Sequence, residues 1–293
     1  MRKREVDLAL LLVAFLWGAS YLAAKVLTQH ATVLALLSIR FSITTIAMLF
    51  IWSFKREKMG RDQVLLGLGL GSVQALILFC ETSGVARTTA TNAGLIISLC
   101  IVLTPVLESI ASRNWLPRSF FVATVVAVVG VALLVSNNGF TAPGVGDWLM
   151  FAAAFVRAIH VTSMGHLTKG KSYSSVNITL LQSFACAAIF TLFSKHHTMD
   201  AIRTFTAAQW EGMLFLSLLC GALAFLITLW GIRRTSSSRA SLLLGTEPVW
   251  AVVVGVAFGG EKLLLLGAIG AVLIVGSTYI GQGIEARHRA TTN

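Results

Sequence analysis

Ten runs of about twenty apolar residues, joined by gaps too short for a soluble domain, leave this chain few ways to fold. They cover roughly residues 7–27, 32–53, 63–85, 90–111, 118–136, 147–168, 173–194, 208–230, 238–259 and 263–283. Such a run matches the hydrocarbon thickness of a bilayer, where a helix satisfies its own backbone hydrogen bonds. The chain therefore reads as an all-α membrane protein with ten transmembrane helices. Its charge content agrees: 12% of the 293 residues are charged, against roughly 25% in soluble proteins. The first run lacks a clean small-residue cleavage site and reads as a retained helix.

The net charge of +11 does not point to nucleic acid, because the basic residues sit in the gaps between apolar runs. Sixteen of them collect on one side of the expected membrane, from Arg2, Lys3 and Arg4 to Arg287 and Arg289. Four fall on the other: Arg87, Lys195, Arg203 and Lys262. That asymmetry places both termini in the cytoplasm of a cell inner (plasma) membrane and requires an even number of spans. Cys80, Cys100, Cys186 and Cys220 lie within apolar runs without metal-ligand spacing and read as small apolar fillers. The adjacent His196 and His197 have no third ligand in place and read as part of a solvated loop at 195–207. Gly67-Leu68-Gly69-Leu70-Gly71 follows no strand and precedes no Gly-Lys-Ser/Thr, so it is not a nucleotide loop. Neither a metal nor a cofactor is expected.

The chain also repeats. Thr104-Pro105-Val106 aligns with Glu247-Pro248-Val249 at an offset of 143 residues, which maps the fourth run onto the ninth. The unit is then five spans: residues 1–137, then 145–285, with 286–293 a cytoplasmic tail. Five is odd, so the second copy enters the membrane inverted. Inverted repeats are characteristic of transporters that alternate access around a site at the repeat interface. Pro105 and Pro248 read as helix hinges on opposite sides of one cavity.

Polar residues inside the runs mark where that cavity lies, since lipid tolerates them poorly. Arg40 is too deep in the second run for easy snorkelling. It reads either as half of a buried ion pair or as a substrate-facing cation. Gln74 and Glu81 lie seven residues apart, on one helical face. Arg157 and His160 sit three apart in the middle of the sixth run. Arg157 is the best candidate to hold a substrate carboxylate, and pairing with Glu81 or Glu247 is its structural alternative. His160 is a core histidine or a proton relay. Glu247 is the deepest carboxylate, either an arginine's partner or a group that binds a cation or a coupling proton. Trp17 and Tyr21, four apart on the first run, stack on ligand or pack in the core. Glu108, near the cytoplasmic end of its run, reads as water-exposed. Arg40, Arg157, Glu81 and Glu247 sum to zero charge, which fits internal pairing and equally a zwitterionic ligand.

Trp17-Gly18-Ala19-Ser20-Tyr21 with Lys25, Arg40-Phe41, Ala93-Gly94, Pro105, Glu247-Pro248-Val249 and Gly260-Glu261-Lys262-Leu263 together resemble the drug/metabolite transporter superfamily. The resemblance is to its ten-helix branch with two EamA domains. It implies a basket of two interleaved five-helix repeats around a cavity lined by spans 1, 3, 4, 6, 8 and 9, with spans 5 and 10 peripheral. It also implies gradient-driven movement of amino acids or related amphiphilic solutes, with export the commoner direction. Trp17, Tyr21, Arg40, Gln74, Glu81, Arg157, His160 and Glu247 are the expected substrate-binding set. The alternative is a multidrug or organic-cation efflux permease. A membrane-embedded transferase is remote, because no carboxylate cluster or His/Asp pair of the needed spacing occurs. The expected partners are a small-molecule substrate, the lipid bilayer and, if transport is coupled, a proton. The chain reads as a monomer or a homodimer.

Overall fold

The computed structural model describes residues 3–88, 96–135, 144–194, 197–258 and 265–292, and every regular element among them is helical. In chain order these are α1 (Lys3–Thr28), α2 (Val33–Lys55), α3 (Arg61–Val85), α4 (Cys100–Ser112), α5 (Arg118–Val135), α6 (Val145–Thr168), α7 (Ser175–Ser194), α8 (His197–Thr204), α9 (Ala207–Arg234), α10 (Ser237–Leu244), α11 (Glu247–Phe258) and α12 (Leu265–Thr292). Ala93, Gly94, His196 and the Gly260-Glu261-Lys262-Leu263 motif lie outside the described residues. Seven helices among the described residues, α1, α2, α3, α6, α7, α9 and α12, are long and apolar enough to cross a membrane. Large apolar side chains such as Phe50, Phe54 and Val272 are exposed along them, as a lipid solvent requires. The chain is a multi-pass, all-helical membrane protein.

Local signals set the helix ends. Thr32 caps α2 by accepting from the Ala35 amide at 3.4 Å. Asp147 occupies the first turn of α6 and accepts from the Gly144 amide at 2.7 Å. Within α9, Phe215–Leu223 is π-helical. Two carbonyls of that stretch bind neighbouring helices: Thr44 Oγ1 donates to Ser217 O at 2.8 Å, and Trp17 Nε1 to Cys220 O at 3.0 Å.

Two sequence expectations change here. Residues 197–204 form a helix, not a loop: α8 buries Ala201 against the cluster that holds Leu27, Leu36 and Met213, which gives this polar segment an anchored face. The ninth run is not one helix. It breaks between Leu244 and Glu247, and the Thr246 carbonyl accepts from Val249 at 3.0 Å to start α11. Pro248 therefore lies in a first turn, where its missing N–H costs little. The discontinuity precedes the proline, while Pro105 stays inside α4.

Packing depends on close backbone approach at glycines. A Cβ at Gly67 or Gly71 of α3 would come within 2.6 Å of α7, at Leu181 and Gln182 respectively, whereas one at Gly69 would meet nothing. A Cβ at Gly130 of α5 would lie 2.8 Å from Gly270 O of α12. These contacts accompany the pairings of α3 with α6 and α7, α2 with α7 and α9, and α5 with α12. On α1, which packs along α11, a Cβ at Gly18 would lie 2.6 Å from Glu247 O and 2.8 Å from Ala251 N. Backbone cannot swing aside as a side chain can. Gly18→Ala is therefore expected to cost about 1–3 kcal/mol, read as a lower unfolding midpoint in detergent. An unchanged midpoint would show that α1 and α11 separate freely.

Candidate functional site

The helices line a central cavity of about 120 Å³. Its charged and amide lining comes from α2 (Arg40), α3 (Gln74 and Glu81), α6 (Arg157 and His160), α7 (Gln182) and α11 (Glu247). Trp17 of α1, Thr104 of α4 and Phe225 of α9 complete the wall, and no lining residue among those described comes from α5 or α12. The walls expected from the resemblance are present, and α2 and α7 join them through one long polar side chain each.

Seven of the eight expected binding residues line this cavity. Tyr21 lies outside the lining, with its buried hydroxyl beside Glu247. Gln182, Ser20, Thr228 and Ser241 also line the wall. Of these, Gln182 carries a signal the sequence offers, an amide in the middle of an apolar run. The three hydroxyl residues do not, because such groups are absorbed by backbone carbonyls: Thr228 donates to Ala224 O of its own helix at 2.8 Å, and Ser241 to Cys100 O of α4 at 3.1 Å.

Arg157 sits between two carboxylates. Its Nη2 donates to Glu81, its Nη1 lies 3.8 Å from Glu247 Oε2, and its guanidinium stands 5.7 Å from the Trp17 ring centroid. The Glu81 side chain is 14% exposed, which places it in the bundle and not at a wet interface. Glu247 is 8% exposed and lies in the first turn of α11. Both structural alternatives for Arg157 thus hold at once, and two acids share one cation.

Arg40 differs. Its Nε is buried without a hydrogen-bond partner, no carboxylate lies within ion-pair distance among the described residues, and the contact formed is with the adjacent Phe41 ring, 5.7 Å from the centroid. His160 is 7% exposed, with its Nε2 also unpartnered. Trp17 and Phe225 meet edge to face with centroids 5.8 Å apart, forming an aromatic patch beside these charges.

A second polar network closes the end of the bundle that carries both chain termini. Arg239 at the start of α10 grips Asp7 of α1 with two hydrogen bonds, Nε to Oδ1 at 3.0 Å and Nη2 to Oδ2 at 2.7 Å. Its Nη1 reaches Glu285 of α12 at 3.5 Å, and Ser236 Oγ donates to the same acid at 2.8 Å. Glu108 of α4 accepts from the Ser237 amide at 3.3 Å and from the Ser238 amide and hydroxyl, at the N-terminus of α10. Glu108 is therefore a cross-helix cap as well as a half-exposed acid. Arg239, counted from sequence among the loop cations, is buried and doubly paired. Beside this network lies a second cavity of about 510 Å³.

Comparison with known proteins agrees with this architecture. A solved crystal structure covers 98% of this chain and 99% of its own at a TM-score of 0.79 and 16% identity, which shows a shared fold. A protein of Archaeoglobus fulgidus named as an uncharacterized transporter is 28% identical over 280 residues, covering 94% of this chain and 85% of its own. A Streptantibioticus cattleyicolor protein named "Probable terminal-alkyne amino-acid exporter" is 22% identical over 299 residues, covering 98% of each chain. The profile described as the EamA-like transporter family matches twice, over residues 5–136 and 144–280. The chain belongs to the EamA-like transporter family.

Proposed function

We propose that this protein is a secondary transporter of small amphiphilic metabolites, foremost amino acids and related solutes, and that it works as an exporter by alternating access in the inner (plasma) membrane. It is a carrier and not an enzyme. The observation that carries this reading is the central cavity, where opposite charges and an aromatic patch are contributed by helices from both halves of the chain. The name of the Streptantibioticus relative supports the substrate class and the direction. In this reading ten spans form two inverted five-helix repeats, residues 1–137 and 145–285, with residues 286–293 and the N-terminus in the cytoplasm. Its supports are the double family match and part of the helix pairing: exchanging each span with its counterpart five spans on carries the α3–α7 pairing onto α2–α9 and leaves α2–α7 and α5–α12 in place. The Arg239 network then closes the cytoplasmic end of the path.

Proteoliposomes loaded with a panel of amino acids and organic cations test this, and flux no faster than from protein-free liposomes across the whole panel sinks it. An organic-cation permease is the second reading, favoured by the surplus of carboxylates around Arg157. Amines moving while amino acids do not would select it.

Glu247 carries a separate expectation. Arg157 keeps its contact with Glu81 when Glu247 becomes the near-isosteric amide, so Glu247→Gln should leave the unfolding midpoint within a few degrees of wild type. Transport should fall about tenfold or more, because that acid is the one available to bind a cationic group or a coupling proton. A wild-type flux that depends on pH between about 5.5 and 8, with the dependence lost in Glu247→Gln, would fit proton coupling. Flux insensitive to pH would mean uniport or exchange.

A further inference from the structure

We infer that Arg40 is the carboxylate anchor of the central cavity, and that Arg157 is not. The solute carried is then a zwitterion: its carboxylate meets Arg40 and its ammonium meets the acids that flank Arg157. This assignment deepens the transporter reading and rests on it.

The two cavity arginines differ in how their donors are used. Arg157 has its fork engaged by Glu81 and Glu247. Those contacts hold the guanidinium on the protein's own carboxylates, so it positions them and offsets part of their charge. Arg40 has the same five N–H donors. None of them makes a hydrogen bond or ion pair with a described residue, its Nε is fully buried, and its side chain lines the same cavity. The Phe41 ring offers weak compensation at 5.7 Å. A guanidinium with a buried, unpartnered Nε is costly, and a stabilising role for it requires a partner that the described residues do not provide. A partner arriving through the cavity resolves this. The planar fork matches a carboxylate with two parallel hydrogen bonds, which a lysine ammonium does not reproduce.

The rest of the cavity narrows the ligand further. Glu81 and Glu247 share one cation, so with both acids ionised that wall carries one negative charge in excess. An anion without a compensating positive group is repelled by that wall, and a cation without a carboxylate leaves Arg40 unsatisfied. A solute bearing both charges satisfies both walls. The edge-to-face pair of Trp17 and Phe225, centroids 5.8 Å apart, offers apolar surface for its side chain.

The test uses the full chain in proteoliposomes with matched probes. L-leucine is compared with isoamylamine, which lacks the carboxylate, and with 4-methylpentanoate, which lacks the ammonium. L-phenylalanine, phenethylamine and 3-phenylpropanoate form a second set, and the remaining common amino acids serve as competitors. The expected result is flux or competition by amino acids, with a loss of about tenfold or more for both truncated analogues. Arg40→Gln is expected to abolish the preference for amino acid over amine, and Arg40→Lys to restore part of it. Arg40→Gln should also leave the unfolding midpoint unchanged or raise it, since it removes an unpaired buried charge. Amines moving as well as their amino acids, or Arg40→Gln retaining the preference, would overturn the assignment while leaving the transporter reading intact. A lower midpoint with intact discrimination would instead make Arg40 a structural residue. If no probe in any class moves, the transporter reading itself fails.

Discussion

Arg157→Ala is expected to lose about 3–5 kcal/mol of stability, the largest effect of any single cavity substitution. The substitution strands Glu81 and Glu247, 14% and 8% exposed, without the cation that both contact. In a medium that screens poorly, two facing carboxylates cannot both stay ionised without that charge. The measurement is thermal unfolding of the purified protein in detergent. Converting the two acids to amides in the same chain, Glu81→Gln with Glu247→Gln, should recover a substantial part of the loss, because no stranded charge remains. If Arg157→Ala unfolds at the wild-type temperature, Arg157 is held by water or ligand in solution and the paired geometry is not the resting one. If the loss occurs without recovery, the guanidinium matters for its packing on Trp17 and not for its charge.

Arg239→Ala is expected to be comparably severe, about 3 kcal/mol, and to change access to the cavity. Arg239 ties α10 to α1 through Asp7 and to α12 through Glu285, while Glu108 ties α4 to the first turn of the same short helix. Asp7 is 18% exposed, so water compensates that partner in part and the effect falls at the lower end of the range for buried pairs. Ser241 lies on both the central cavity and α10, one turn beyond this network. A cysteine placed there, Ser241→Cys, should react faster with a water-soluble maleimide once Arg239→Ala loosens the terminus-bearing end. Faster labelling with retained fold supports a closure role. A lowered midpoint with unchanged labelling would make the network a structural clamp alone.

The polar residues of the cavity are largely legible in the amino-acid sequence. Arg40, Gln74, Glu81, Arg157, His160 and Glu247 stand out because each is expensive in lipid, so each had to face protein or a cavity. Trp17 was legible through its place mid-span, away from an interfacial belt. Gln182 obeys the same logic and belongs with them. Ser20, Thr228 and Ser241 were invisible, since a hydroxyl absorbed by a backbone carbonyl, of its own helix or, for Ser241, at Cys100 of α4, carries little hydropathic signal. Tyr21 shares a helical face with Trp17 but stops short of the cavity lining. Spacing along a helix specifies a direction, whereas depth depends on how closely the neighbouring helix approaches, and Gly18 sets that distance against α11.

Roles were harder to read than positions. Arg157 looked like the group that meets a substrate carboxylate, and Arg40 looked as suited to an ion pair. The folded chain pairs Arg157 with acids on two other helices and leaves Arg40 without an ion-pair partner among the described residues. Glu108 and Arg239 looked like residues at a wet boundary, and they meet instead around the first turn of α10 and its contacts with α1, α4 and α12.

What the amino-acid order determined alone was the membrane character, the resemblance to EamA transporters, and which side chains lipid would reject. These are local properties: hydropathy sums over a window of about twenty residues, and a charge is costly wherever the run around it is apolar. Tertiary structure alone decided which acid meets which cation, where the ninth run breaks, and which arginine keeps its donors unspent. Ion pairing changes over a few ångströms, and Arg157 and Glu81 are separated by 76 positions in sequence. Only the packing of α3, α6 and α11 around one cavity brings such groups within reach.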